Sequence, residues 1–270
     1  ILLSPQSASY ALSMLANGAA DETQTEIMKV LGFGEFTLDE MNKYNQKLMK
    51  GLVELDNTTT VNMANSLWLD NEFKALDDYK KVLKEAYEAE VFVEEFAQRG
   101  TMGKINEWCS EKTDGCIPHF LKEWNEDGKT ILANALYFKG KWLMPFEKKD
   151  TGKGVFTLAS GQSENVDFMR QTANNPYMKN EHVSVAQFAY GNGAFSMYIV
   201  LPHEGILLDE WVKSFDAGQW AVMLEGMKLQ KMNVWLPKFK LERDVVMNDM
   251  LHALGLAKAF DAEEADFSAL

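Results

Sequence analysis

Thr130-Ile131-Leu132-Ala133-Asn134-Ala135-Leu136-Tyr137-Phe138-Lys139-Gly140-Lys141-Trp142 is the stretch on which the reading of the fold turns. In an extended chain, Ile131, Ala133, Ala135 and Tyr137 share one face, and Leu132, Leu136 and Phe138 share the other. A strand that is apolar on both faces reads as a central strand covered on both sides. Asn134 breaks the pattern, because an amide on such a strand needs buried partners.

Around this strand the sequence alternates between helical and extended periods. Ser4-Pro5 starts a helix, since Ser caps the orphan amides and Pro fits the first helical position. Ala8, Ala11, Leu12, Leu15, Ala16 and Ala19 follow at helical spacing. Further helices are predicted over Asp21–Val30, ending at Gly32-Phe33-Gly34, and over Leu38–Leu55, with Met41, Tyr44, Leu48 and Leu52 inward. Thr58–Leu69 and Glu90–Phe96 alternate as strands, with Asp77–Ala89 helical between them, and Thr101–Lys112 is a further helix. From Val155 the chain is mostly strand. Val183–Tyr190 and Ala194–Leu201 flank Gly191-Asn192-Gly193, a hairpin signal. Leu208–Phe215, Trp220–Met227 and Val245–Leu254 are read as helices, and Met232–Leu241 as a strand interrupted by Pro237. Helices first, then interleaved elements, then mainly strands make an α+β order.

The 270 residues suit one large domain or two small ones, and a 46% hydrophobic composition supports a sizeable core. No apolar run is long enough for a membrane helix. Forty acidic against 27 basic residues give a formal charge of −13, so nucleic acid and anionic lipid are not expected as partners. Lys43, Lys47 and Lys50 form a basic stripe, but Asp39, Glu40, Glu54 and Asp56 flank it, so a heparin-like polyanion is not expected there.

Catalytic constellations do not emerge. The histidines His119, His182, His203 and His252 lack HExxH spacing. Cys109, Cys116 and His119 have no evident fourth partner for a metal, so one helix-face thiol and one loop thiol is the reading. Walker and GxSxG motifs are missing from the sequence. Asn57-Thr58-Thr59 is a glycosylation sequon, relevant only in a eukaryotic secretory host.

Several segments, taken together and in order, resemble the serpin family of protease inhibitors. The clearest is Asn134-Ala135-Leu136-Tyr137-Phe138-Lys139-Gly140-Lys141-Trp142 followed by Pro145-Phe146. Around it stand Ser4-Pro5-Gln6-Ser7, Leu31-Gly32-Phe33, Ala64-Asn65-Ser66-Leu67-Trp68, Lys104-Ile105-Asn106-Glu107-Trp108, Val200-Leu201-Pro202, Leu236-Pro237-Lys238-Phe239 and Ala265-Asp266-Phe267-Ser268. The resemblance spans the chain. It implies an α+β serpin fold of one domain over residues 1–270, with three sheets and about eight or nine helices. It implies a monomer that is not an enzyme, with no cofactor and no metal. Its expected partner is a target protease, of the serine type or else the cysteine type, and its expected place is extracellular. The two cysteines and the lack of a regular glycosylation pattern point to a bacterial member, for which the place would be the periplasm or cell surface.

The implied mechanism is suicide inhibition. A bait loop is cleaved, the protease is held as an acyl-enzyme, and the loop enters the large sheet of a metastable fold; serpin insertion is a known instance of strand addition. The alternative the family allows is a non-inhibitory binding or chaperone protein. By the resemblance, Ser4, Ser7 and Asn134 occupy the shutter beneath the large sheet. Trp142, Thr151 and Lys238 belong to the breach, where insertion begins, with Lys238 the base that pairs with an acid at the foot of the loop. Helix Thr101–Lys112 would lie across the sheet and yield. The text starts after the family's first helix and stops before the reactive loop, with on the order of a hundred residues outside it. The large sheet is expected to hold Thr58–Leu69, Glu90–Phe96, Thr130–Lys141 and Met232–Leu241. With open edges beside the last of these, the stretch alone is expected to aggregate.

Overall fold

Ser4 and Pro5 open the first helix as their chemistry dictates. The computed structural model describes residues 2–270. In it Ser4 is extended and its hydroxyl accepts the Ser7 N–H at the head of α1 (Pro5–Ala16). Helix α2 (Asp21–Val30) stops at Gly32, whose φ of +80° lies in the left-handed region. Helix α3 (Leu38–Glu54) begins with a capping box: the Thr37 hydroxyl accepts the Glu40 N–H while the Glu40 carboxylate accepts the Thr37 N–H at 2.8 Å.

The residues group into two units, the first made of the chain up to Leu55, Thr60–Phe138 and Glu242–Leu270. It holds β1 (Thr60–Asp70), α4 (Asp77–Tyr87), β2 (Glu90–Glu94), α5 (Gly100–Lys112) and β3 (Thr130–Lys139). The three strands form one sheet in the order β2-β1-β3, with β1 and β2 parallel across the α4 crossover. Alternation along β1 serves two cores. Leu67 and Leu69 pack with Tyr10, Met14, Tyr79, Leu83 and Tyr87 of α1 and α4. Trp68 faces the other way, packing with Ile105, Trp108 and Cys109 of α5 and with Ala133 and Ala135 of β3. A third cluster joins Ala16, Ile27, Met28, Met41 and Leu256.

The second unit, Asp56–Thr59 with Lys139–Leu241, is mainly strand. It contains β4 (Gly152–Thr157), β5 (Ser163–Lys179), β6 (Val183–Tyr190), β7 (Phe195–Pro202), helices α6 (Leu208–Ser214) and α7 (Ala217–Gly226), and β8 (Lys228–Pro237). All neighbours are antiparallel, in the order β4-β5-β6-β7 with β8 on β5. The long β5 takes part in two separate pairings, residues 163–168 with β4 and 177–179 with β6, while β8 runs beside residues 168–177. Val183, Val185 and Met223 form its core with Trp211, Phe215 and Trp220 around them.

Two expectations are corrected. Met232–Leu241 does not join the sheet of β1, β2 and β3: the strand is β8, it ends at Pro237, and it pairs with β5 over Phe168↔Pro237 to Tyr177↔Lys228. Pro237 has no N–H to continue a ladder, and Lys238 adds only one more bond, from its N–H to the Asp167 carbonyl at 2.8 Å. The strand Thr130–Trp142 is shorter, ending at Lys139, and among the described residues it pairs on one side only, with β1. Side-chain alternation reports cover above and below, which β3 has; it carries no information about pairing along the backbone edge.

The hairpin turn of β6 and β7 is built around a carboxylate from elsewhere in the sequence. Asp56 is 2% exposed. Its Oδ1 accepts the Thr58 N–H and hydroxyl at 2.8 and 2.7 Å. Its Oδ2 accepts the Thr59 hydroxyl at 2.5 Å and the Asn192 N–H at 3.2 Å. The sequon threonines Thr58 and Thr59 therefore point inward at Asp56. Burial by itself pushes this carboxyl up; the hydrogen bonds from Thr59, Thr58 and Asn192 outweigh it and hold the pKa at about 2. A depressed folded-state pKa contributes stability above the ordinary carboxylate range, and that contribution is lost as pH falls toward 2. The urea midpoint of the parent is therefore expected to exceed that of Asp56→Asn at pH 6, and the gap to close between about pH 4 and 2. A gap that is the same at pH 6 and pH 2.5 would assign the difference to shape alone.

Candidate functional site

Asn134 finds its partner on the next strand. Its Nδ2 donates to the Asn65 Oδ1 at 2.8 Å and more weakly to the Ala64 carbonyl at 3.4 Å. Asn65, 1% exposed, in turn donates through its own Nδ2 to the Tyr87 carbonyl at 2.8 Å. One pair of side-chain amides thus clasps β3 to β1 and β1 to the end of α4. Behind it the Tyr87 hydroxyl donates to Asn42 Oδ1 at 2.6 Å, and Asn42 exchanges amide hydrogen bonds with Asn17. Asn45 donates to the Ser13 hydroxyl at 3.0 Å. Burial raises the Tyr87 phenol above its ordinary range, so it stays a neutral donor in this chain of amides. Asn134 Oδ1 is buried and accepts no hydrogen bond.

Ser4 and Ser7 are joined to each other, hydroxyl to hydroxyl at 2.9 Å, at the head of α1. Among the described residues no hydrogen bond links either serine to Asn134. Asn65, which was quoted only as part of a motif, is the residue that does partner it. Its signal was present: like Asn134, it is an amide inside an apolar strand.

Trp142, Thr151 and Lys238 lie in the second unit. Trp142 makes an isolated antiparallel bridge to Tyr190 and stacks on its ring at 4.3 Å, with Phe146 and Phe188 edge-on at 5.8 and 6.1 Å. Thr151 closes a 3₁₀ turn over Lys148–Asp150, its N–H bonded to the Lys148 carbonyl. It borders a cleft with Arg170, Gln171 and Trp235, where the Arg170 guanidinium lies over the Trp235 ring at 4.0 Å. Lys238 is exposed just past β8. Gln171 lines both the cavity that Trp142 borders and the cleft that Thr151 borders; Lys238 is tied to Asp167 by its backbone.

Helix α5 covers the face of β1 and β3 that bears Trp68, Ala133 and Ala135, and polar contacts hold it to β2. The Trp108 indole donates to Glu90 Oε1 at 2.9 Å, Lys112 pairs with the same oxygen at 2.7 Å, and Lys104 pairs with Glu94 at 2.5 Å. Glu90 is desolvated, yet the Lys112 and Trp108 contacts hold its carboxyl below the usual range. Cys109, on the same helix, is 2% exposed, and burial pushes its thiol up to about 11, which leaves no thiolate for nucleophilic work. Cys116 is exposed, and neither cysteine is in a disulfide. Among the described residues no helix is long and apolar enough to cross a membrane.

Comparison with known proteins places these features in one lineage. A serine protease inhibitor of Cyanea capillata is 31% identical over 272 residues, covering 97% of this chain and 72% of the relative. The chain spans 64% of a serpin-like protein of Methanosarcina acetivorans that is 30% identical to it. Among solved structures, the thermophilic serpin tengpin matches in its native and latent states alike, with TM-scores of 0.92. The native form is 32% identical, and the match covers 99% of this chain and 68% of tengpin. Reactive-loop-cleaved human thyroxine binding globulin matches with a TM-score of 0.93 at 25% identity, covering 100% of this chain and 80% of the globulin. The profile described as "Serpin (serine protease inhibitor)" matches residues 1–270, so the chain belongs to the serpin family.

Proposed function

We propose that this chain forms the greater part of a suicide inhibitor of serine proteases, one that is not itself an enzyme. A reactive loop beyond the present sequence would offer the scissile bond. The protease serine adds to its carbonyl, the peptide bond breaks with release of the new amine, and the acyl-enzyme ester holds the protease while the cut loop adds to the sheet of β1, β2 and β3. The observation that supports this most directly is the Asn134–Asn65 clasp between β3 and β1. A strand added beside β3 would meet Asn134 Oδ1, a buried acceptor with no other bond. In this reading Asn134, with Ser4 and Ser7 at the head of α1, forms the shutter. Trp142, Thr151 and Lys238 form the breach, and α5 is the helix that must let go. The protein acts as a monomer outside the cell.

Incubating the complete protein with a panel of serine proteases is expected to give a covalent complex that survives denaturation and boiling. Cleavage of the loop with no such complex would leave the second reading, a binding protein on the same fold, for which the likeness to a thyroxine binding globulin is the supporting observation. The attachment of α5 gives a separate check. Glu90→Gln removes the charge that Lys112 and Trp108 hold, so hydrogen exchange of α5 amides is expected to speed up about three- to tenfold, with β6 and β7 unchanged. Uniform exchange rates in parent and variant would show that packing of Ile105 and Trp108 alone seats the helix.

A further inference from the structure

Within the second unit, β5 and β6 and the segment after β3 enclose a cavity of about 210 Å³. Trp142, Leu143, Met144, Phe188 and Leu229 supply its apolar walls, and the amides Gln171, Asn174, Asn175 and Gln187 line it as well. One of these amides is buried without a partner. Asn175, in the middle of β5, is 4% exposed, and its Nδ2 has no hydrogen-bond partner in the protein. A buried amide donor without a partner keeps its full desolvation penalty. Ligand sites generally combine these features: an apolar, aromatic wall with one or two fixed polar groups that orient the occupant.

We propose that this cavity is a binding site for a small single-ring aromatic molecule carrying a carbonyl, whose ring lies against Trp142 and Phe188 and whose oxygen accepts from Asn175 Nδ2. Size agrees, since an apolar cavity of about 150 Å³ accommodates benzene, and the extra volume takes a substituent of two or three atoms. The aromatic lining agrees as well, because Trp142 is held in place by its stack on Tyr190 and offers a preset ring edge or face. The donor fixes the chemistry of the substituent: it needs an acceptor, and a purely hydrocarbon ligand leaves Asn175 as it is. The site shares Trp142 with the breach proposed above, and all its lining residues belong to the second unit.

Acetophenone and α-methylstyrene make the test, being near-isosteric with C=O exchanged for C=CH₂. Titration calorimetry on the complete protein is expected to give acetophenone a dissociation constant of about 0.1–1 mM. Asn175→Leu is expected to shift the acetophenone to α-methylstyrene affinity ratio by about tenfold toward the hydrocarbon, and Ala189→Phe, which fills the cavity, to abolish binding of both. Should either variant fail to fold, the Asn175 side-chain amide resonance of the parent, identified by selective labelling, is expected to shift on adding acetophenone and not on adding α-methylstyrene. No binding of acetophenone to the parent at 10-fold above the expected range, an unchanged ratio in Asn175→Leu, retained binding in Ala189→Phe, or an unmoved amide resonance would each overturn the proposal.

Discussion

Gly191→Ala is expected to destabilise the second unit by about 2–5 kcal/mol, among the largest effects of any single methyl group added to this chain. Two independent causes add. Gly191 sits at φ +52°, where a side chain is disfavoured in any surroundings. A Cβ built there would also overlap Asp56 Oδ2 and stand 2.5 Å from the Thr59 hydroxyl and 2.6 Å from the Thr58 hydroxyl. All three belong to the hydrogen-bonded cluster that anchors the hairpin turn, so none can retreat without giving up its partners. Urea unfolding of the parent, Gly191→Ala, Asp56→Ala and the double variant checks the cause. Removing Asp56 relieves the tightest overlap, so the double variant is expected to be more stable than the sum of the single losses predicts. Strict additivity would show that the left-handed backbone alone accounts for the loss.

The second large effect is expected at Asn65 and not at Asn134, although it was Asn134 that the sequence marked. Asn65→Ala removes both ends of the clasp. It takes from the Tyr87 carbonyl its side-chain donor, leaves the Asn134 amide only its weaker bond to the Ala64 carbonyl, and opens a space under β1, at a cost of about 2–4 kcal/mol. Asn134→Ala strands only Asn65 Oδ1, at about 1–3 kcal/mol. In the complete protein the two are expected to promote polymerisation on mild heating in the same order, because a sheet whose strands are less firmly clasped admits another molecule's loop sooner. The relaxed, loop-inserted form should suffer less. Size-exclusion profiles after heating report this directly. If Asn134→Ala and Asn65→Ala left both polymerisation and inhibitory stoichiometry unchanged, these residues would be satisfied core amides with no part in opening the sheet.

What could be read from the sequence was what depends on side chains close along the chain. The Ser4 cap, the Gly32 stop and the Gly191-Asn192-Gly193 turn depend on a few neighbouring residues and appear where expected. The two-sided burial of β3 followed from alternation, and the serpin motifs placed β1 and β3 in one sheet. What was not visible depends on backbone partners far away. Nothing in Thr130–Lys139 distinguishes an edge from a centre, since both expose the same side chains above and below. Pro237 was read as an interruption, when it is the terminus of a strand whose partner lies in another sheet. At the candidate site Asn134 stood out by contrast with its neighbours. Asn65 has the same contrast but sits among Thr60, Asn62 and Ser66, where one more polar residue is inconspicuous. Asp56 was counted with a surface charge run, and only the fold brings it to Asn192.

Strand β5 makes its longest alliance with β8, a strand that a ribosome produces much later. From the end of β5 at Lys179 to the end of β8 at Pro237 roughly 60 residues must be added, which at about 5–20 residues per second takes on the order of 3–12 s. Through that interval the nascent chain has β4 and β6 to occupy the two ends of one edge, while the flank from Phe168 to Tyr177 waits unpaired. A waiting strand flank is adhesive toward other chains on the same message. Slower translation between codons 180 and 237 should therefore lower the soluble yield, and a holdase present during synthesis should restore it, with no change in the sequence of the product.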